Sequence, residues 1–383
     1  MNFKFSVPNF INTSFVSSQP YKTEMTKKLF ALTVGFLFSL QIIAQTKAEF
    51  DSTTLLYRGE EKHLSNVKQL TFGGDNAEAY FSFDGSKITY QMRNKEKGIE
   101  CDQIYLMDLL DQEKNSQLIS TGEGRTTCSY FMPGNKTILY ASTHLGNAGC
   151  PPDPAKRADG KYVWAIYPDF DIFVADLKGK IEKQLTNTPG YDAEATISPD
   201  GKKIVFTSLR SGDLELYTMN IDGSDIKQVT TGLGYDGGAF FSPDNKKLIF
   251  RASRPTSEEA VKEYKDLLKE GLVKPTEMSL YTCNVDGKDL VKITDLANAS
   301  WAPFFHPSGR KVIFASNYSA TRGLPFNLYM IDVDGKNLER ITYDNMFDAF
   351  PMFSPNGKKL IFSSNRNNHG TRDTNLFIAD WKD

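Results

Sequence analysis

Histidine, cysteine and tryptophan are scarce in this chain: four, four and three among 383 residues. Chemistry built on clusters of them is short of parts. There is no Gly-x-Ser-x-Gly elbow, so the nucleophile of an α/β-hydrolase is missing. No His-Glu-x-x-His and no Cys-x-x-Cys occurs, which removes two common metal and dithiol signatures. No compact calcium-loop motif is present either. The formal net charge is −2, so there is no electrostatic case for nucleic acid or an anionic membrane surface. Long apolar runs are equally rare. The main one is Leu29–Ala44, about 16 residues, which is short for a membrane anchor.

That run follows Met25-Thr26-Lys27-Lys28 and ends in Gln45-Thr46-Lys47-Ala48. A basic start followed by a short apolar core is the pattern of a secretory signal. Residues 1–48 are therefore expected to be an upstream extension and signal peptide. Cleavage after Ala44 or Ala48 and a start at Met25 are both compatible with this. No cysteine follows the apolar run until Cys101, so lipid acylation is not expected. Gram-negative export would place the mature chain in the periplasm, with no transmembrane span after cleavage.

What the chain has in quantity is a repeat. Six tight-turn sequences recur: Ser82-Phe83-Asp84-Gly85, Met132-Pro133-Gly134-Asn135, Ser198-Pro199-Asp200-Gly201, Ser242-Pro243-Asp244-Asn245, His306-Pro307-Ser308-Gly309 and Ser354-Pro355-Asn356-Gly357. Proline fixes φ at the first corner, and Asp-Gly or Asn-Gly tolerates positive φ at the next. Each turn leads into a nearly unbroken run of β-formers such as Ile204–Phe206, as expected for a strand buried on both faces. A third run follows (Leu216–Asn220 and its copies), then in most copies a fourth ending in an aliphatic residue and Thr or Ser (Val229-Thr230 and its copies).

The copies are spaced about 44 to 66 residues apart, the period of a propeller blade plus insertions. The expected fold is all-β: a six-bladed β-propeller of four-stranded antiparallel blades over residues 49–383. The sixth unit stops at Asp383 without its fourth strand, and a spare copy, Val67–Thr71, lies near the start. An N-terminal strand completing the last blade would close the ring and remove two sheet edges.

Two long intervals interrupt the repeat. His144 to Tyr167, in blade two, is rich in Pro, Gly and charge and then aromatic, as in a cap over one mouth of the ring or a contact surface. Arg254 to Glu277, in blade four, changes period. Thr256 and Glu259 resemble a capping box, Val261, Tyr264, Leu267 and Leu268 share one helical face, and Gly271 is a stop. Cys128 and Cys150 are the expected disulfide pair, closing about 23 residues and contributing roughly 3 kcal/mol in a chain-entropy picture. Four buried thiols are the alternative; Cys101 and Cys283 are expected to stay free.

Six residues before each turn lies a repeated position: Asn76, Thr126, Asp192, Asp236, Ser300 and Asp348. Two further on come Glu78, Cys128, Glu194, Gly238, Ala302 and Phe350. Such positions should circle a mouth of the central channel. Arg93, Arg210, Arg254 and Arg366 follow the second strands and are available as partners. An Asp near an Arg at fixed blade positions reads either as an inter-blade bond that holds the ring or as a cation or ligand site, chiefly through Asp192, Glu194 and Asp236. The candidate binding residues are Asn76, Glu78, Asp192, Glu194, Asp236, Asp348, Arg210 and Arg366. No catalytic residue, cofactor or metal is assigned.

The unit Leu-Thr … Ser-Pro-Asp-Gly-Lys-Lys-Ile-Val-Phe-Thr-Ser … Leu-Tyr-Thr-Met-Asn … Asp-Gly resembles the TolB-type, WD40-like Pro-Asp repeat over about residues 67–383. The resemblance implies a non-catalytic periplasmic scaffold of the Tol–Pal kind. Its partner would be an envelope protein, peptide or lipoprotein such as the peptidoglycan-associated lipoprotein, docked at a channel mouth. Asn76, Asp192, Asp236 and Asp348 would be the nearest equivalents of the docking rim. A monomer is expected. TolB proteins carry a further α/β domain and a TolA-binding segment, for which only about 20 mature residues stand before this repeat. Related propellers also include oligogalacturonate lyases that hold a metal through histidines. A carbohydrate-active enzyme is therefore the alternative expectation.

Overall fold

The structure, a computed structural model, describes residues 48–383 apart from residues 112, 114 and 322. The expected signal lies outside the described residues, save for Ala48. Among the described residues, six four-stranded antiparallel sheets follow one another as blades. Blade three shows the plan: Asp192–Ile197 innermost, then Lys203–Ser208, Glu215–Asn220 and Lys227–Gln228, paired in that order.

The second strands are walled in on both faces. Ile88, Ile138, Ile204, Leu248, Val312 and Leu360 are all fully buried, as are Tyr90, Tyr140, Phe206, Phe250, Phe314 and Phe362 two residues on. Burying one such side chain is worth about 1.5–3 kcal/mol, so the ring is held mainly by blade stacking.

Blade six takes its outer strand from the other end of the chain. Leu64–Gln69 pairs antiparallel with Asn375–Trp381, with Phe377 opposite Gln69. A repeated side-chain bond marks this strand as equivalent to the other outer strands. Where each outer strand ends, a hydroxyl accepts the backbone N–H that opens the third strand. Ser120 accepts from Ile104, Thr186 from Ile172, Thr230 from Leu216, Thr294 from Leu280, Thr342 from Leu328, and Thr71 from Leu376.

The second insertion forms the expected helix, Glu258–Lys269. Its N-cap is Ser257, whose hydroxyl accepts from the Ala260 N–H at 3.1 Å, rather than Thr256. Tyr264 and Leu267 are its buried residues.

The expected Cys128–Cys150 bridge is corrected. Cys150 is bonded to Cys101, with Cα atoms 5.5 Å apart, while Cys128 and Cys283 are free and buried. The reason is topological. Cys101 opens the third strand of blade one, Ile99–Asp108, at the mouth over which the insertion lies. Cys128 sits in the innermost strand of blade two and is buried within the ring.

Candidate binding site

Each inner strand begins at one mouth and ends at a Pro-type corner at the other. The beginning carries the repeated rim residues, and here the structure departs from an exposed rim. Asn76, Asp192, Asp236 and Asp348 are all buried. Arg210 Nη2 donates to Asp192 at 2.9 Å, Arg254 Nη2 to Asp236 at 2.7 Å, and Arg366 Nη2 lies 3.4 Å from Asp348. In each pair the two residues belong to one blade, not to neighbours. The arginine leaves the second strand and turns back over the start of the first. Asn76 donates to the Thr374 and Gly73 carbonyls at 2.9 and 3.1 Å. These groups brace the mouth from inside.

Two residues deeper, every inner strand kinks. The pairing with the second strand slips at the same place in all six blades. Glu78, Cys128, Glu194, Gly238, Ala302 and Phe350 there have φ of 53°, 45°, 58°, 60°, 46° and 54°. This is a β-bulge with its first residue in the left-handed region, a device that re-aims one side chain out of the strand pattern.

Around that ring the chemistry is lopsided. Glu194 reaches into blade four. Tyr235 donates to it at 2.8 Å, the Gly238 N–H at 3.0 Å and Thr207 at 2.8 Å, and Arg251 forms a buried ion pair with it. Burial works against the Arg251 charge, yet the Glu194 carboxylate beside it raises its pKa. Gly237 and Gly238 make room, since a Cβ at either would collide with Glu194 or Arg251. Glu78 is less fully satisfied, with Cys128 as a side-chain hydrogen-bond partner. It is 5 % exposed, and its Oε2 has no hydrogen bond among the described residues. Burial raises its pKa, and burial together with the Glu78 charge raises that of Cys128. One layer on, Tyr80, Tyr130, Phe240 and Phe304 meet inside the ring. Tyr80 of blade one and Phe240 of blade four lie 5.8 Å apart by ring centroid, across the channel.

The braced mouth is also roofed. The two insertions join in a short two-stranded sheet, Trp164 opposite Val273 and Ala165 opposite Leu272. Ile166 N–H donates to the Gly271 carbonyl at 2.7 Å, and Arg157 pairs with Glu270 at 2.8 Å. Trp164 packs on Trp301 at 5.1 Å, with Arg251 over its ring at 5.5 Å. Asp153 of the first insertion receives Arg125 at 2.7 Å and Arg93 at 3.1 Å. The lead-in adds a third cover: Glu61 binds Arg366 at 2.9 Å, Leu55 offers its carbonyl to the same arginine, and Tyr57 donates to Asp344 at 2.8 Å.

Among the described residues the opposite mouth is open. A cavity of about 380 Å³ lies there, lined by every blade. Its floor includes half-buried Tyr130 and Phe304 with Met352, and the corner prolines Pro199, Pro243, Pro307 and Pro355 form its wall. A second cleft of about 370 Å³ opens between the corners of blades six and one, where Phe83 replaces the corner proline.

Residues 154–273 match the family described as the TolB beta propeller domain. Among solved structures, a TolB from Agrobacterium tumefaciens superposes with a TM-score of 0.52 at 20% identity, over 81% of this chain and 91% of that one. TolB from Acinetobacter baumannii gives 0.53 at 18% identity, over 79% of this chain and 65% of that one. The ring has the fold of these TolB propellers. An oligogalacturonate lyase in complex with manganese also superposes, at 0.47 and 15% identity, over 88% of this chain and 96% of that one, too distantly to bear on function.

Within this ring the residues expected from the sequence to form a site separate into parts. Asp192 with Arg210, Asp236 with Arg254 and Asp348 with Arg366 are internal braces. Glu78 and Glu194 are brought to one level of the interior. Arg251 was not among the candidates, although a charged residue in the apolar run Leu248-Ile249-Phe250, opposite a double glycine, was a legible signal. The funnel was not singled out either, because its floor comes from six separate strand ends. Among the described residues no group of three or more His, Cys, Asp or Glu could hold a metal ion. His144 contacts Ser142 and Phe173 beyond the second strand of blade two, whereas His306 lies at a corner of blade five facing Asp383.

Proposed function

We propose that this chain is a non-catalytic periplasmic binding propeller, a scaffold for an envelope protein or peptide in the manner of the Tol–Pal system. The carrying observation is the asymmetry of the two mouths. One is braced by buried Asp–Arg pairs and roofed by both insertions and the lead-in; the other is an open apolar funnel built by all six blades. An apolar concavity with a polar surround is the form of a docking surface. The TolB-type repeat supports the same reading, and the envelope partner follows from it.

The test is direct binding. Purified protein is presented to the peptidoglycan-associated lipoprotein and to solubilised envelope from the native host. Retention of a defined envelope protein, lost on Phe304→Glu with the melting temperature kept, is the expected result. No retained protein together with stoichiometric manganese in the purified chain would instead favour the carbohydrate-active reading.

A further inference from the structure

We propose that the funnel takes an acidic polypeptide segment with an apolar tip, an inference that rests on the binding reading above. Its basis is how charge is arranged around the open mouth. The corners that wall the funnel are rich in cations as they enter the second strands. Lys136, Lys246, Lys247, Arg310, Lys311 and Lys358 stand there with no ion pair among the described residues, and all but the half-buried Lys311 are exposed. The carboxylates of the same corners, Asp84, Asp200 and Asp244, are each bound by the Ser82, Ser198 or Ser242 hydroxyl at 2.6–2.7 Å. These three carboxylates stay charged, but the six cations outnumber them, so the collar is positive on balance over an apolar floor.

Farther out on the same end, the hairpins between third and fourth strands of blades three to five are acidic on balance. Asp222, Asp225, Asp286, Asp289, Asp332 and Asp334 lie there against Lys227, Lys288 and Lys336, which pair with three of them. A broad anionic surface, such as a membrane or a nucleic-acid backbone, would meet this acidic outer ring as well as the collar. A narrow acidic segment would meet only the collar. The funnel's 380 Å³ has room for one or two apolar side chains, which fits the tip of such a segment. Complementary charge then supplies orientation and rapid encounter, and the floor supplies the anchor.

The experiment is fluorescence anisotropy on the purified chain. Four probes are used: a labelled peptide of four glutamates ending in Leu-Phe, the same peptide with lysines for glutamates, the acidic peptide ending in Gly-Gly, and phosphatidylglycerol vesicles. The first probe is expected to bind at least tenfold tighter than the other two peptides. That affinity should fall at least tenfold in a Lys246→Glu, Arg310→Glu double variant and on raising salt from low to several hundred millimolar. Both residues are exposed, and a thermal melt checks that the variant folds. Equal binding of all peptides, no binding of the first, or preference for the vesicles would overturn the inference. If the charge-reversed variant still retains an envelope partner that Phe304→Glu loses, the binding reading stands and the acidic segment falls.

Discussion

Thr71 Oγ1 accepts the backbone N–H of Leu376 at 2.8 Å, across 305 positions of sequence. The five other blades make the same bond within about 16 residues. The ring is thus shut by a bond that each blade uses internally. Thr71→Val should leave a buried N–H unsatisfied and cost about 1–3 kcal/mol, as should Thr230→Val in mid-ring. Removing residues up to Thr71 deletes the whole outer strand of blade six, and the melting transition should broaden and fall sharply. An unchanged melt of that truncated chain would show that the ring closes without it.

Arg366 is fully buried between Glu61 and Asp348. Arg366→Leu strands two carboxylates away from water, and urea unfolding should register a loss of about 3–5 kcal/mol. Arg210→Leu removes a pair whose arginine is partly exposed, and should cost less. Equal losses would argue that burial is not what makes the first pair sensitive. Limited proteolysis of Arg366→Leu should also cut within residues 48–63, since Glu61 holds that segment through this arginine.

Peptide mapping without reduction should recover Cys101 linked to Cys150, with Cys128 and Cys283 as thiols. The bridge ties residues 49 apart in sequence. In the chain-entropy picture Cys150→Ser lowers stability by up to about 4 kcal/mol. Recovery of a Cys128–Cys150 peptide would restore the pairing first expected.

Glu215 gives a pH dependence with a defined sign. Burial, aided by Asp236 and Asp213, lifts its pKa from 4.5 to about 8. The folded chain therefore holds this proton more tightly than the unfolded chain. The resulting stabilisation is complete below pH 4.5 and is lost as pH rises through 8. Glu215→Gln keeps the neutral form at every pH, so its urea midpoint should vary less than the parent's between those limits. Parallel curves would mean that the carboxyl is already ionised at neutrality.

The blades were legible because each strand and corner has its own local signature. A proline corner, a β-branched run and a terminal Thr act over a few residues, and they recur six times. The helix was legible for the same reason, to within one residue of its cap. What escaped was long-range. The Asp–Arg spacing was visible, yet nothing local says whether an arginine turns back on its own blade or crosses to the next. Cys101 and Cys128 are both near Cys150 in sequence, and only the strand directions decide which faces it. Arg251 looks like an exposed charge until Glu194 of another blade is placed against it. The roof required two insertions about 110 residues apart to meet at Trp164 and Val273, which no periodicity encodes.

The kinked level of the inner strands has a practical consequence. An acid, a thiol, a hydrogen, a methyl and a phenyl group all occupy it, at Glu78, Cys128, Gly238, Ala302 and Phe350, on nearly the same backbone. The chain path there is set by its surroundings rather than by the residue type, although the Arg251 guanidinium already fills the space at Gly238. Sockets of one shape thus line the bore of this molecule, and a designer could refit those at Cys128, Ala302 and Phe350 one at a time while leaving the masonry alone.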